Sequence, residues 1–132
     1  MHDIGKLLII RVIDGIKRKY PNLPITNAFL LDVVGSLHSK MGYALMKHWS
    51  IHEQYCKVAL SHHTDDFDIN DVLLMAVRIA NQACIKLGVN TTHERPIPLP
   101  ALREVNILNI QESLLTEVEA VIEGAAETRA AS

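Results

Sequence analysis

Apolar residues recur at three- and four-residue spacing along almost the whole chain, and no stretch alternates apolar with polar residues as a half-buried strand would. That periodicity confines the chain to helices. The stripe Leu7, Leu8, Ile9, Ile10, Val12, Ile13 and Ile16 ends before Tyr20, and Pro21 and Pro24 then bar helical continuation. Spacing predicts a second helix over about 27–37 and a third over about 39–49, with Gly35 and His38 near the break between them. Ser50 and Glu53 match the S-x-x-E capping box, predicting a helix through Cys56, Val58, Ala59 and Leu60 that ends near His62-His63. After the acidic loop of Asp65, Asp66 and Asp68, a helix carries Val72, Leu73, Met75, Ala76, Ile79, Ala80, Ala83 and Leu87. Asp68 or Asn70 can cap it, and Gly88 falls in the C′ position. Residues 89–100 read as a loop and 102–105 as a short turn. Asn109 and Glu112 form another capping signature, ahead of Leu114, Leu115, Val118, Val121 and Ile122. The fold class is all-α, a bundle of about five to seven helices in one domain over 1–125, with 126–132 a frayed Ala-rich tail.

Composition narrows the function classes. The chain has 132 residues, 48% hydrophobic and 21% charged, which is globular rather than disordered composition. A net charge of −2 and only 5% aromatic residues give neither the basic face nor the stacking platform of a nucleic-acid binder. The basic run Lys17-Arg18-Lys19 reads as a solvated helix end. The most apolar run is interrupted by Arg11 and is too short to span a bilayer. Cys56 and Cys84 lack C-x-x-C spacing and read as small buried hydrophobes in a reducing cytoplasm. The expectation is a soluble cytoplasmic protein with no membrane partner.

Five residues carry the chemistry: His2, Asp3, His38, His62 and His63. Imidazoles and a carboxylate are ligands for a divalent metal. Each also has a plain structural reading. His2, near the terminus, is expected to be frayed and exposed, and Asp3 can serve as a first-turn carboxylate favoured by the helix dipole. His38 with Gly42 can be a packing feature in which Gly admits a neighbouring helix. Adjacent helical residues point about 100° apart, so His62 and His63 are not expected to face one ion from a straight helix. His48, His52 and His93 read as surface or loop histidines. Trp49 reads as a core anchor, with Tyr43 and Met46 as packing residues.

The string His2-Asp3-Ile4-Gly5-Lys6 resembles the signature of the HD superfamily of metal-dependent phosphohydrolases. His38 followed by Gly42, then Trp49, then His62-His63 and the apolar stretch Val77-Arg78-Ile79-Ala80-Asn81 is similar to the HDOD branch found in bacterial signalling proteins. The resemblance covers roughly residues 1–125. It implies an HD-like helical bundle that acts as a regulatory or interaction module beside other signalling domains or proteins, with self-association open. Its alternative implication is a phosphohydrolase acting on a nucleotide or cyclic dinucleotide.

Two departures shift the expectation away from hydrolysis. Under the resemblance, one metal ligand comes from a helix before the HD pair, and this chain starts one residue before that pair. The expectation is therefore the C-terminal portion of an HDOD domain. The final Asp of the family is Asn81 here, a neutral and poorer ligand than a carboxylate. The sequence thus assigns no catalytic and no cofactor-binding residue. It treats His2, Asp3, His38, His62 and His63 as a vestigial or weak metal site, which if functional would take Fe, Mn, Zn or Mg.

Overall fold

The computed structural model describes residues 1–89 and 95–131; His93 lies outside them. The described residues form six α-helices and a 3₁₀ turn, with no strand among them, as the periodicity predicts. The chain divides into two compact units, the first Met1–Asp65 and the second from Asp66 onward.

In the first unit, α1 (Ile4–Lys19) and α2 (Asn27–His48) form a long hairpin and α3 (Glu53–Ser61) packs on α2. Helix α2 is the main correction to the sequence reading. It runs unbroken for 22 residues through Gly35 and His38, where a break between two helices was expected. Glycine in a helix costs about 1 kcal/mol relative to Ala, which burial of the helix's inner face offsets. Thr26 caps α2 by accepting a hydrogen bond from the Phe29 amide. One core joins Ile9 and Ile13 of α1 to Val34 of α2, and another joins Met46 of α2 to Cys56 and Ala59 of α3.

The two helices of the hairpin touch backbone to backbone at one point. A Cβ built on Gly5 would lie 1.9 Å from the His38 carbonyl oxygen and 2.6 Å from the Gly42 amide nitrogen. Only glycine admits that approach. A Cβ on Gly42 would meet the Gly5 nitrogen at 3.3 Å, so the packing role expected for Gly42 belongs mainly to its partner. This crossing sets the N-terminal residues against the middle of α2.

Of three capping expectations, two are met by neighbouring residues instead and one by none. Ser50 has φ 56° and does not cap; the His52 ring accepts from the Gln54 amide instead, and Glu53 pairs with Lys47 at 2.5 Å. Asp71, rather than Asp68 or Asn70, caps α4 (Val72–Lys86) through the Leu74 amide, while Asp68 closes a turn on Asn70. Asn109 has φ 50° and precedes the start of α6 (Glu112–Ala130), which has no side-chain cap. Asp68 thus stabilises the turn leading into its helix, while Ser50 and Asn109 take the left-handed conformation there. Gly88, with φ +68°, ends α4 as expected. Trp49 is 53% exposed and is not the core anchor anticipated; Met46, at 1%, fills that position.

In the second unit, α4, the 3₁₀ turn Leu99–Ala101, α5 (Arg103–Ile107) and α6 enclose a core of Ile79, Ala83, Leu99, Leu102, Val105 and Leu115. The turn read over 102–105 is thus part of a short helix. Glu104 is buried there and bonds Arg78, whose guanidinium also lies 4.7 Å from the centre of the Phe67 ring. Helix α6 continues to Ala130, past the residue where a tail was anticipated.

Candidate metal centre

The Gly5 crossing delivers Asp3 to His38, and the end of α3 delivers the histidine doublet to the same place. One ligand atom each from Asp3, His38, His62 and His63 lie within 4.8 Å of one another. The doublet does converge, contrary to the 100° argument. His62 is the C-cap of α3 and His63 lies beyond it, so the straight-helix geometry no longer applies; their ring centres are 4.0 Å apart. His38 and His62 are buried, at 3% and 2% exposure.

The hydrogen bonds fix how these rings present themselves. His38 Nδ1 lies 2.8 Å from the Val34 carbonyl and His62 Nδ1 lies 2.9 Å from the Ala59 carbonyl. A carbonyl only accepts, so each Nδ1 carries the proton and donates. In the neutral rings each Nε2 is then a lone pair, which is how ligating histidines are commonly held. These two Nε2 atoms face each other at 3.4 Å. Asp3 Oδ1 stands 3.3 Å from that of His62 and 3.6 Å from that of His38. Asp3 Oδ1 is itself buried with no hydrogen-bond donor. The Ser39 hydroxyl lies 3.3 Å from His38 Nε2 and can donate to it.

Acceptors thus converge on acceptors in a buried position. Such a set is repulsive unless a cation, a proton or a metal ion, lies among them. The residues fit a metal: three imidazoles and one carboxylate converge, with the outer nitrogens of His38 and His62 anchored on backbone carbonyls. That donor set suits Zn, Fe or another borderline transition ion better than Mg, which favours all-oxygen surroundings.

Two further groups complete the surroundings. Lys6 is buried and donates to Asp3 Oδ2 at 2.9 Å, orienting the carboxylate so that Oδ1 faces the imidazoles. Sequence reasoning singled out Lys6 only as part of a string; its placement three residues after Asp3 on a helical start was the available signal. His2 is not frayed. Its side chain is 26% exposed, its ring stands edge-on to His62 at 4.8 Å, and its Nε2 is buried without a hydrogen bond, 3.5 Å from Asp3 Oδ2. It stands beside the four-residue set rather than within it. Asp3 occupies the N-cap of α1 but caps no amide, so its first-turn role is secondary.

Protonation follows from burial and neighbours. Burial pushes the His63 imidazole down to about 4, and His62 and His38 beside it push the same way. His2 is lowered by burial, partly offset by Asp3. Burial works to raise the Asp3 carboxyl, but the adjacent His62 and Lys6 overcome it and hold the group well below the usual carboxylate range. At neutral pH the Asp3 carboxylate and the His63 imidazole are therefore in their ligating forms.

His48 and His52 are exposed, as expected, and Asn81 lies partly buried on α4 in the second unit. Cys56 is buried and Cys84 partly so, neither in a disulfide. No helix among the described residues is long and apolar enough to cross a membrane. No protein-family model, curated protein or solved structure matches the chain.

Proposed function

We propose that this is an HD-related helical domain of the HDOD type that binds one divalent transition-metal ion through Asp3, His38, His62 and His63 and acts as a regulatory module in bacterial signalling. One observation carries the metal reading: the Nε2 atoms of His38 and His62 and Oδ1 of Asp3 meet within 3.3–3.6 Å, with both Nδ1 protons committed to backbone carbonyls. A bound ion supplies Lewis acidity and positive charge toward an oxyanionic ligand. The chain's own groups do the rest. His38 and His62 hold their tautomers through Val34 and Ala59, and Lys6 fixes Asp3. His63, on the solvent side, is the member of the set best placed to exchange with an incoming ligand. The regulatory assignment is supported by the order of motifs and by Asn81, an amide where an HD enzyme carries a carboxylate.

Hydrolysis is the second reading, and Lys6 is the observation that favours it. A buried ammonium beside a metal site raises the local positive charge that would receive a phosphoryl group. Two measurements test both readings. Protein purified without chelator is expected to hold a transition metal at a stoichiometry near one per chain, lost in Asp3→Asn and in His62→Ala. Wild-type protein that stays metal-free after reconstitution with Zn, Mn or Fe overturns the metal reading. Turnover of bis-p-nitrophenyl phosphate by the loaded protein, abolished in His62→Ala, overturns the regulatory assignment in favour of the enzyme.

A further inference from the structure

The candidate ligands are not equally secured. His38 and His62 are tied to their own helices by Nδ1 protons on the Val34 and Ala59 carbonyls, and both rings are buried. Asp3 precedes α1 and caps no amide, and its hydrogen bond comes from Lys6, a neighbour in the same segment. The amides of Ile4 and Lys6 likewise donate to the carbonyls of Met1 and Asp3. These bonds shape the first turn but do not dock it. Toward α2 and α3, residues 1–5 bring the Gly5 backbone contact and the Ile4 side chain, which packs on the core of Met46, Cys56 and Ala59.

Two buried polar atoms work against that docking. His2 Nε2 and Asp3 Oδ1 have no hydrogen-bond partner, and opening would return both to water. Asp3 Oδ1 also faces the Nε2 lone pairs of His38 and His62, at 3.6 and 3.3 Å. An ion held among those three atoms reverses the balance. The carboxylate then becomes a tie from the start of α1 to both other helices.

We infer that the metal ion acts as a latch. Bound through Asp3, it holds residues 1–5 onto α2 and α3; without it the docked form still predominates but opens locally far more often. The inference rests on the metal reading above and names what occupancy controls, the order of the start of α1. That order is the signal a regulatory module can pass on. A ligand shifts such an equilibrium by the ratio of its affinities for the two forms. The open form keeps the imidazoles and gives up the carboxylate, a difference on the order of tenfold or more.

Residue-resolved amide hydrogen exchange by NMR on the full chain, with Zn²⁺ as the probe, tests the latch. The reporter is the Lys6 amide, bonded to the Asp3 carbonyl. The reference is the amides of Val34 and His38, buried positions within α2. In chelator, Lys6 is expected to exchange at least about tenfold faster than the reference, through an opening of its own. Saturating Zn²⁺ is expected to slow Lys6 by about tenfold or more, and to leave it unslowed in Asp3→Asn. Binding is followed separately by competition with a chromophoric chelator. Zinc that binds without slowing Lys6 overturns the latch and leaves the metal reading standing. A Lys6 amide as slow as the reference in chelator also overturns it, as does equal slowing in Asp3→Asn. A chain that binds no Zn²⁺ removes the metal reading and the latch together.

Discussion

Replacing Gly5 with alanine tests the link between fold and site. The added Cβ would sit 1.9 Å from the His38 carbonyl oxygen, about 1.1 Å short of the 3.0 Å that real Cβ contacts respect, and 2.6 Å from the Gly42 nitrogen. Both obstacles are backbone of a 22-residue helix, so no rotamer change relieves the overlap. The hairpin must open at this crossing. Overpacking a close-packed contact costs typically 1–3 kcal/mol, and an overlap with backbone belongs at or above the upper end. Alanine's helical preference returns up to about 1 kcal/mol, less near a helix start. The expected net loss is about 2–3 kcal/mol, or roughly 10 °C in Tm for a chain of this size. Gly42→Ala is the matched control: its Cβ would meet nothing closer than 3.3 Å, and the helical gain should leave it within about 0.5 kcal/mol of wild type.

The same displacement has a second readout. Opening the crossing by 1 Å or so moves Asp3 away from the two Nε2 atoms it now faces at 3.3 and 3.6 Å. Gly5→Ala should therefore lose metal affinity by at least tenfold in competition with a chromophoric chelator, although no ligand has been touched. Thermal unfolding by circular dichroism and metal titration on the two variants decide the matter. Equal stability of Gly5→Ala and Gly42→Ala would overturn the backbone-contact account. A destabilised Gly5→Ala with wild-type metal affinity would show that the crossing does not position Asp3.

Two other expectations follow from buried ionisable groups. In the presence of chelator, stability should fall as the pH drops from about 6.5 to 4. The His63 imidazole is held down to about 4 in the folded chain while its ordinary value is 6.5, so across that window the unfolded state binds the extra proton. Asp3, held below the ordinary carboxylate value, adds a loss in the same direction below about pH 3.8. Tm measured at half-unit pH steps should show the first decline, and His63→Gln should flatten it; an unchanged slope would dismiss this cause. In the second unit, Glu104→Ala should cost about 2–3 kcal/mol in urea unfolding, because it breaks a largely buried ion pair with Arg78. Replacing both by Met and Leu should recover most of that, and a loss under 0.5 kcal/mol in the single variant would show the pair to be energetically idle.

What the sequence discloses and what it hides divides along one physical line, local against non-local. Helix class, the end of α1 before Pro21 and the Gly88 stop depend on neighbours a few residues away, and each is legible in the sequence. The continuity of α2 is not legible, because Gly35 and His38 carry weak local preferences that packing of Val34 and Met46 into two separate cores overrides. The capping residues are missed for a related reason: Asp68, three positions before the cap, bonds into its own turn, and Ser50 stands in the left-handed conformation, so only the chain's path decides which polar residue reaches the first amides. The site shows the same division. Its residue types are visible, yet the argument that separates His62 from His63 by 100° holds only inside a helix, and the doublet sits where α3 has already ended. The determinant that gathers the set is a residue with no functional group. Gly5 gives the chain a point where two backbones touch, and the ligands on either side of it follow from that contact. A histidine and an aspartate in sequence propose a site; the missing Cβ two residues later is what brings them to the imidazoles from α2 and α3.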